Sequence, residues 1–139
     1  MSVRKDRIRG FYAEMYDLLY SNNISKTILN TYPDALDAVK SDGSYAIVEL
    51  PYSIRSIDIS DYDVKNTFAR FTFFAQDKTY LGSRMPNVRE LERMIDGFLD
   101  LLPFRGDGFE LMYPRSVIPP KKADTHYHYC IINVPIVFI

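Results

Sequence analysis

Tryptophan is missing from this 139-residue chain, cysteine occurs once, glycine occurs only six times, and neither sign of charge is in clear excess. Each shortage closes a class of function. The single cysteine, Cys130, excludes an intramolecular disulfide and suits folding in a reducing compartment. The scattered glycines form neither a G-x-G-x-x-G fingerprint nor a P-loop, so no phosphate cradle is written into the chain. Lys and Arg number 17 against 18 for Asp and Glu, a net charge of −1 that exerts no global pull toward nucleic acid or an anionic bilayer. No apolar run reaches the roughly 18 residues of a membrane span, and Arg4, Lys5, Arg7 and Arg9 are not followed by the apolar segment of a signal peptide. The expectation is a soluble cytosolic protein with no membrane partner and no sequence-specific nucleic-acid partner. No Ser-His-Asp set is legible, and with no catalytic set the chain reads as a non-enzyme.

What is present is enough for one compact domain over residues 1–139, since 47% of the residues are hydrophobic. Eleven Tyr and nine Phe suit half-buried sheet faces and protein contacts, because a tyrosine ring buries area while its hydroxyl still reaches a partner. The dominant stretch is Asn87 to Leu102. Val88, Leu91, Ile95, Phe98, Leu99 and Leu102 fall on one face of a 3.6-residue period, with Met94 beside them and Glu90, Arg93, Asp96 and Asp100 on the outer side. A first helix over Arg4 to Tyr20 follows from Ile8, Phe11, Tyr12, Met15, Leu18 and Leu19, with Ser21-Asn22-Asn23 as its stop. Ile24 to Asn30 reads equally as a short helix or an edge strand.

From Tyr45 the period changes to two. Tyr45 to Leu50 and Ile54 to Ser60 form an expected antiparallel pair, and Asp58, Asp61 and Asp63 mark a solvated acidic turn that lacks the glycine and closing glutamate of a calcium loop. Thr67 to Asp77 is a strong strand, with Ala69, Phe71, Phe73 and Ala75 toward a core and Phe68, Arg70, Thr72, Phe74 and Gln76 on the other face. Lys78 to Pro86 reads as a loop. Arg105-Gly106-Asp107-Gly108 is a turn that happens to spell an adhesion tripeptide. Phe109 to Ile118 is a strand broken at Pro114, residues 119–124 a polar connection, and Tyr127 to Ile139 a long last strand. Both faces of that last strand are apolar, so helices on both sides of the sheet or a second copy of the chain must cover it. The fold class is α+β: an antiparallel or mixed sheet of about five strands with an N-terminal and a central helix packed on it.

The chemistry-bearing candidate is His126, His128 and Cys130, which alternate onto one face of a strand with Asp124 upstream. Imidazole and thiolate are zinc ligands, yet a closed site needs four, and the buried-cysteine reading competes. A small metal-binding protein or enzyme using these three residues is the alternative from that class. A generic host α+β interaction module is the alternative among interaction proteins.

The order of elements resembles the tail-terminator and head-tail joining proteins of tailed bacteriophages and prophages. The match runs through a first helix, the segment around Tyr32-Pro33-Asp34, strands ending near Asp61, the strand Thr67 to Asp77, the helix 87–102 and two final strands. The resemblance implies a homo-oligomeric ring, often a hexamer, that caps the tail tube and meets head-completion or connector proteins. It implies a virion protein that passes through the host cytoplasm during assembly, with no cofactor or metal. Contacts in that family use sheet edges, loops and termini, and Phe68, Phe74, Lys78, Tyr80 and Arg84 are the residues expected at subunit interfaces.

Overall fold

The protein is described by a computed structural model over residues 5–30, 43–50, 67–114, 116–123 and 126–138. In chain order these residues form α1 (Lys5–Ser21), β1 (Ile28–Leu29), β2 (Ser44–Glu49), β3 (Thr67–Gln76), β4 (Lys78–Tyr80) and β5 (Ser83–Met85), then α2 (Val88–Leu99), β6 (Phe104–Arg105), β7 (Phe109–Leu111), β8 (Val117–Lys122) and β9 (Tyr127–Phe138). The class is α+β. Seven strands build the main sheet in the order β1-β2-β3-β9-β7-β6, with β8 also on β9, and β4 and β5 pair apart from it. β1 and β6 are not among the expected strands because each has two residues, too few to show a period of two.

β9 is the spine of the sheet. It pairs antiparallel with β3 from Thr67↔Ile136 to Gln76↔Tyr127 along one edge. Its other edge takes β7 near the C-terminal end and β8 near the N-terminal end. The single strand expected over residues 109–118 is therefore two strands, and the expected connection at residues 119–124 begins inside the second. β8 accommodates Pro119 and Pro120 because it pairs on one side and shifts register between Ile118 and Lys121. Proline is tolerated at an edge or bulge, where its missing N–H leaves no gap in the ladder. β2 pairs antiparallel with β3 and parallel with β1, which settles residues 28–29 as an edge strand. The expected partner strand at residues 54–60, the acidic turn at residues 58–63 and the segment at residues 32–40 lie outside the described residues.

Both helices lie on one face. Phe11, Met15 and Leu19 of α1 and Met94 and Phe98 of α2 share a single buried cluster with Ala46, Val48, Ala69, Phe71, Phe73, Ile132, Val134 and Ile136. Phe98 sets its ring 4.4 Å from Phe71 and 5.6 Å from Phe73, which ties α2 to the centre of β3. The buried stripe of α2 is Leu91, Met94 and Phe98, so Met94 is central rather than peripheral, while Val88 is exposed. The helix starts where the Asn87 side chain accepts from the Glu90 amide at 3.3 Å, a side-chain cap on an orphan donor.

α1 stops through a Schellman motif: Asn23 takes φ of 58°, its amide bonds the Tyr20 carbonyl, and the Ile24 amide bonds the Leu19 carbonyl at 2.9 Å. Arg93 of α2 then donates to the carbonyls of Asn23 (2.7 Å) and Ile24 (3.1 Å) and to Glu90 Oε1. Of the four charges expected on the outer side of α2, Arg93 thus ties this helix to the segment that follows α1, and Glu90 holds Arg93 from within α2.

The opposite face carries a second, aromatic cluster. Tyr45, Ile47, Phe74 and Tyr127 are buried there, with Leu29 and Tyr129 against them. Among the described residues neither helix lies on this face, yet Tyr45, Ile47 and Tyr127 are fully buried there.

At the far end of the sheet the β6–β7 turn is held by α1, since Glu14 accepts from the Asp107 amide at 3.0 and 3.2 Å through its two oxygens. A Cβ on Gly106 would run into Phe109, which is fully buried, and into the Glu14 carboxylate. Gly106→Ala should therefore lower stability by about 1–3 kcal/mol through overpacking, and Phe98→Ala by about 3–5 kcal/mol through loss of the α2–β3 contact. Urea unfolding of the purified variants checks both, and an unchanged midpoint for either contradicts this packing.

Candidate functional site

Immediately after β3 the chain leaves the main sheet. Lys78–Tyr80 and Ser83–Met85 pair with each other alone, in the register Lys78↔Met85, Thr79↔Arg84 and Tyr80↔Ser83. All six residues are exposed. Among the described residues no third strand pairs with this arm, and a two-stranded hairpin with its strand residues exposed is marginal in water. Its link is Leu81-Gly82, with φ of 50° and 79°, the double left-handed geometry of a type I′ turn. Glycine takes that geometry freely, whereas leucine there costs about 1–2 kcal/mol. Leu81 is 89% exposed and Tyr80 65%, so the leucine side chain gains no burial that would offset that cost. Strain kept at an exposed tip, with an apolar side chain on it, is a mark of a contact site.

Period-two alternation places Lys78, Tyr80, Ser83 and Met85 on one side of the arm and Thr79 and Arg84 on the other. The arm bears two cations and no carboxylate. Its root is fixed. Asp77, between β3 and β4, donates its amide to the His126 carbonyl at 2.7 Å, and its nearly buried carboxylate meets His128 Nδ1 at 2.6 Å. A carboxylate only accepts, so Nδ1 carries a proton in this pair. The clamp holds the base of the arm to β9 and leaves its six strand residues exposed.

The residues expected at an interface separate into groups. Lys78, Tyr80 and Arg84 come together on the arm, which is a hairpin and not the loop the sequence suggests. Phe68 is 39% exposed but sits near the opposite end of β3, roughly 25 Å along the strand from the arm's root. Phe74 is not accessible: it is 3% exposed and stacks on Tyr45 at 4.4 Å with rings 5° from parallel. Two residues on one sheet face thus take different roles because β2 covers one of them. Leu81 falls inside the loop Lys78 to Arg84 that the sequence reading places near subunit contacts, whereas Met85 and the Asp77–His128 clamp are what that reading does not single out. The signal available was a Leu-Gly pair between two short polar runs, far weaker than Asn-Gly or Asp-Gly.

The His126, His128 and Cys130 set does not converge. His128 turns to Asp77, while Cys130 is buried in a cluster with Ala75 and Leu91. Burial pushes the Cys130 thiol above its ordinary pKa, away from the thiolate that binds metal or attacks a substrate. Among the described residues no three His, Cys, Asp or Glu side chains are grouped to hold a metal ion. Asp124 lies outside the described residues.

Comparison with protein-family models, with curated proteins and with solved structures gives no match.

Asp77→Ala removes the clamp and leaves His128 part-buried without this acceptor. The expected loss is about 1–3 kcal/mol of stability, together with faster amide exchange in β4 and β5 than in the wild type. Hydrogen exchange resolved by residue checks this, because amides at the centre of β3 and β9 should keep their relative protection. Uniform loss of protection across the sheet contradicts a role confined to the arm's root.

Proposed function

We propose that this chain is a structural assembly protein that forms a homo-oligomeric ring at the head-tail junction of a tailed bacteriophage or prophage, or caps its tail tube. The observation that carries the reading is the arm. An exposed, strained hairpin with an apolar tip, projecting from a well-packed α+β body, is a device for meeting another protein surface. The order of elements supports the same reading: a first helix, a strand ending at Gln76, a second helix across the sheet and final strands follow the pattern of tail-terminator and head-tail joining proteins. In this function the body is a scaffold, and the surfaces that act are the arm, the sheet edges and the exposed side chains beside them. Self-contacts build the ring, and tail-tube and head-completion proteins meet its two rims. No reaction and no cofactor enter the reading, and its place is the assembling or finished virion.

Light scattering of the purified chain, followed by electron microscopy of the heaviest species, tests it. A closed ring that co-sediments with assembled tail tubes is the expected result. A chain that remains monomeric at every concentration and binds neither tail tubes nor head-completion complexes overturns the reading.

A further inference from the structure

We infer that the arm of one copy seats Leu81 in a groove between α1 and the β1–β2 edge of a second copy, so that subunits join head to tail. The inference rests on the ring reading above and names the contact that closes it. The groove is an open cavity of about 240 Å³ lined by Tyr12, Tyr16, Ile28, Leu29, Asn30 and Val48. A cavity of roughly 150 Å³ with apolar walls holds benzene, so this one has room for a leucine side chain and part of a neighbouring ring. Its walls are set in advance. The Tyr12 hydroxyl accepts from the Leu50 amide at 3.1 Å, and Tyr16 stacks on Tyr20 at 5.8 Å with rings 8° from parallel.

The chemistry of the two surfaces matches. The arm presents an apolar knob, Leu81, at its tip, with Arg84 on one side of the arm, Lys78 at the root on the other side, and no carboxylate within residues 78–85. The groove presents an apolar floor, and beside it on α1 stand the half-exposed rings of Tyr16 and Tyr20 and the exposed carboxylate of Asp17. Tyrosine faces and a carboxylate are both partners for Arg and Lys. Filling the groove with Leu81 would also offset the cost of its left-handed backbone.

The arm does not fill its own groove, since Leu81 is 89% exposed. The β1 residues of the groove stand level with Phe73 and Thr72, roughly 10–13 Å back along β3 from Gln76, and two strands, roughly 10 Å, to the side. A contact between unlike surfaces on different flanks is heterologous, and a heterologous contact that closes gives a ring.

The test uses two surface variants of the full chain. Leu81→Asp puts a charge on the knob at a residue type that tolerates a positive φ, and Tyr16→Lys removes an exposed wall and sets a cation against the arm's cations. Circular dichroism of each is expected to match the wild type, and at concentrations below assembly neither variant is expected to unfold at a lower temperature. By sedimentation, the wild type is expected to assemble, and each variant alone should weaken association at least about thirtyfold, the loss of a binding hot spot. Mixed in equal amounts, the variants should form a dimer of one copy of each and nothing larger, because the intact arm of Tyr16→Lys meets the intact groove of Leu81→Asp. If the wild type assembles and Leu81→Asp assembles equally well, or the mixture remains monomeric, the arm-and-groove contact is overturned while the ring reading stands. A wild type that is monomeric at every concentration overturns both.

Discussion

The backbone ladder of β9 is the constraint on which the rest of the structure depends. Ten successive residues of this strand face β3 on one edge, and β7 and β8 divide the other edge between them. A strand paired on both edges in the middle of a sheet has side chains buried toward both faces. Cys130, Ile132, Val134 and Ile136 meet the helix-covered core, while Tyr127 and Tyr129 meet the aromatic cluster around Tyr45 and Phe74. Each fully buried apolar side chain along it contributes about 1.5–3 kcal/mol, which holds the β3–β9 pair firmly in the sheet.

Against that rigid pair the arm is the opposite case. β3 runs in register with β9 up to Gln76, and the next residue, Asp77, is clamped by His126 and His128 of the same region. One step later all packing ends. The change from a two-faced core to an exposed hairpin thus takes place across a single buried carboxylate, which aims a loosely supported element from a firmly held base. Rigid support beneath a low-stability segment is the usual arrangement for elements that bind.

The parts legible in the sequence were those whose signal is local. Leu91, Met94 and Phe98 recur at helical spacing, and Ala69, Phe71, Phe73 and Ala75 alternate with period two, so α2 and β3 could be read from neighbours in the chain. The same holds for the stop of α1 at Asn22-Asn23. β6, by contrast, was hidden by its length, and β8 by two prolines that only an edge position beside a bulge can accept. The arm was read as a loop because its turn spends a leucine where glycine or asparagine is the recognisable choice.

By itself, then, the sequence determined the α+β class, the two amphipathic helices and the alternation of β3, because period and side-chain chemistry act over a few residues. Tertiary structure alone decided which surfaces are free. Phe68 and Phe74 point to the same face of β3 and look alike in the chain, yet Tyr45 stacks on one and leaves the other half open. His128 and Cys130 share a face by strand parity, yet Asp77, 51 residues earlier, takes the histidine, and Leu91 and Ala75 bury the cysteine. Those outcomes depend on partners brought close by strand register, and register is a property of the whole sheet rather than of any segment in it.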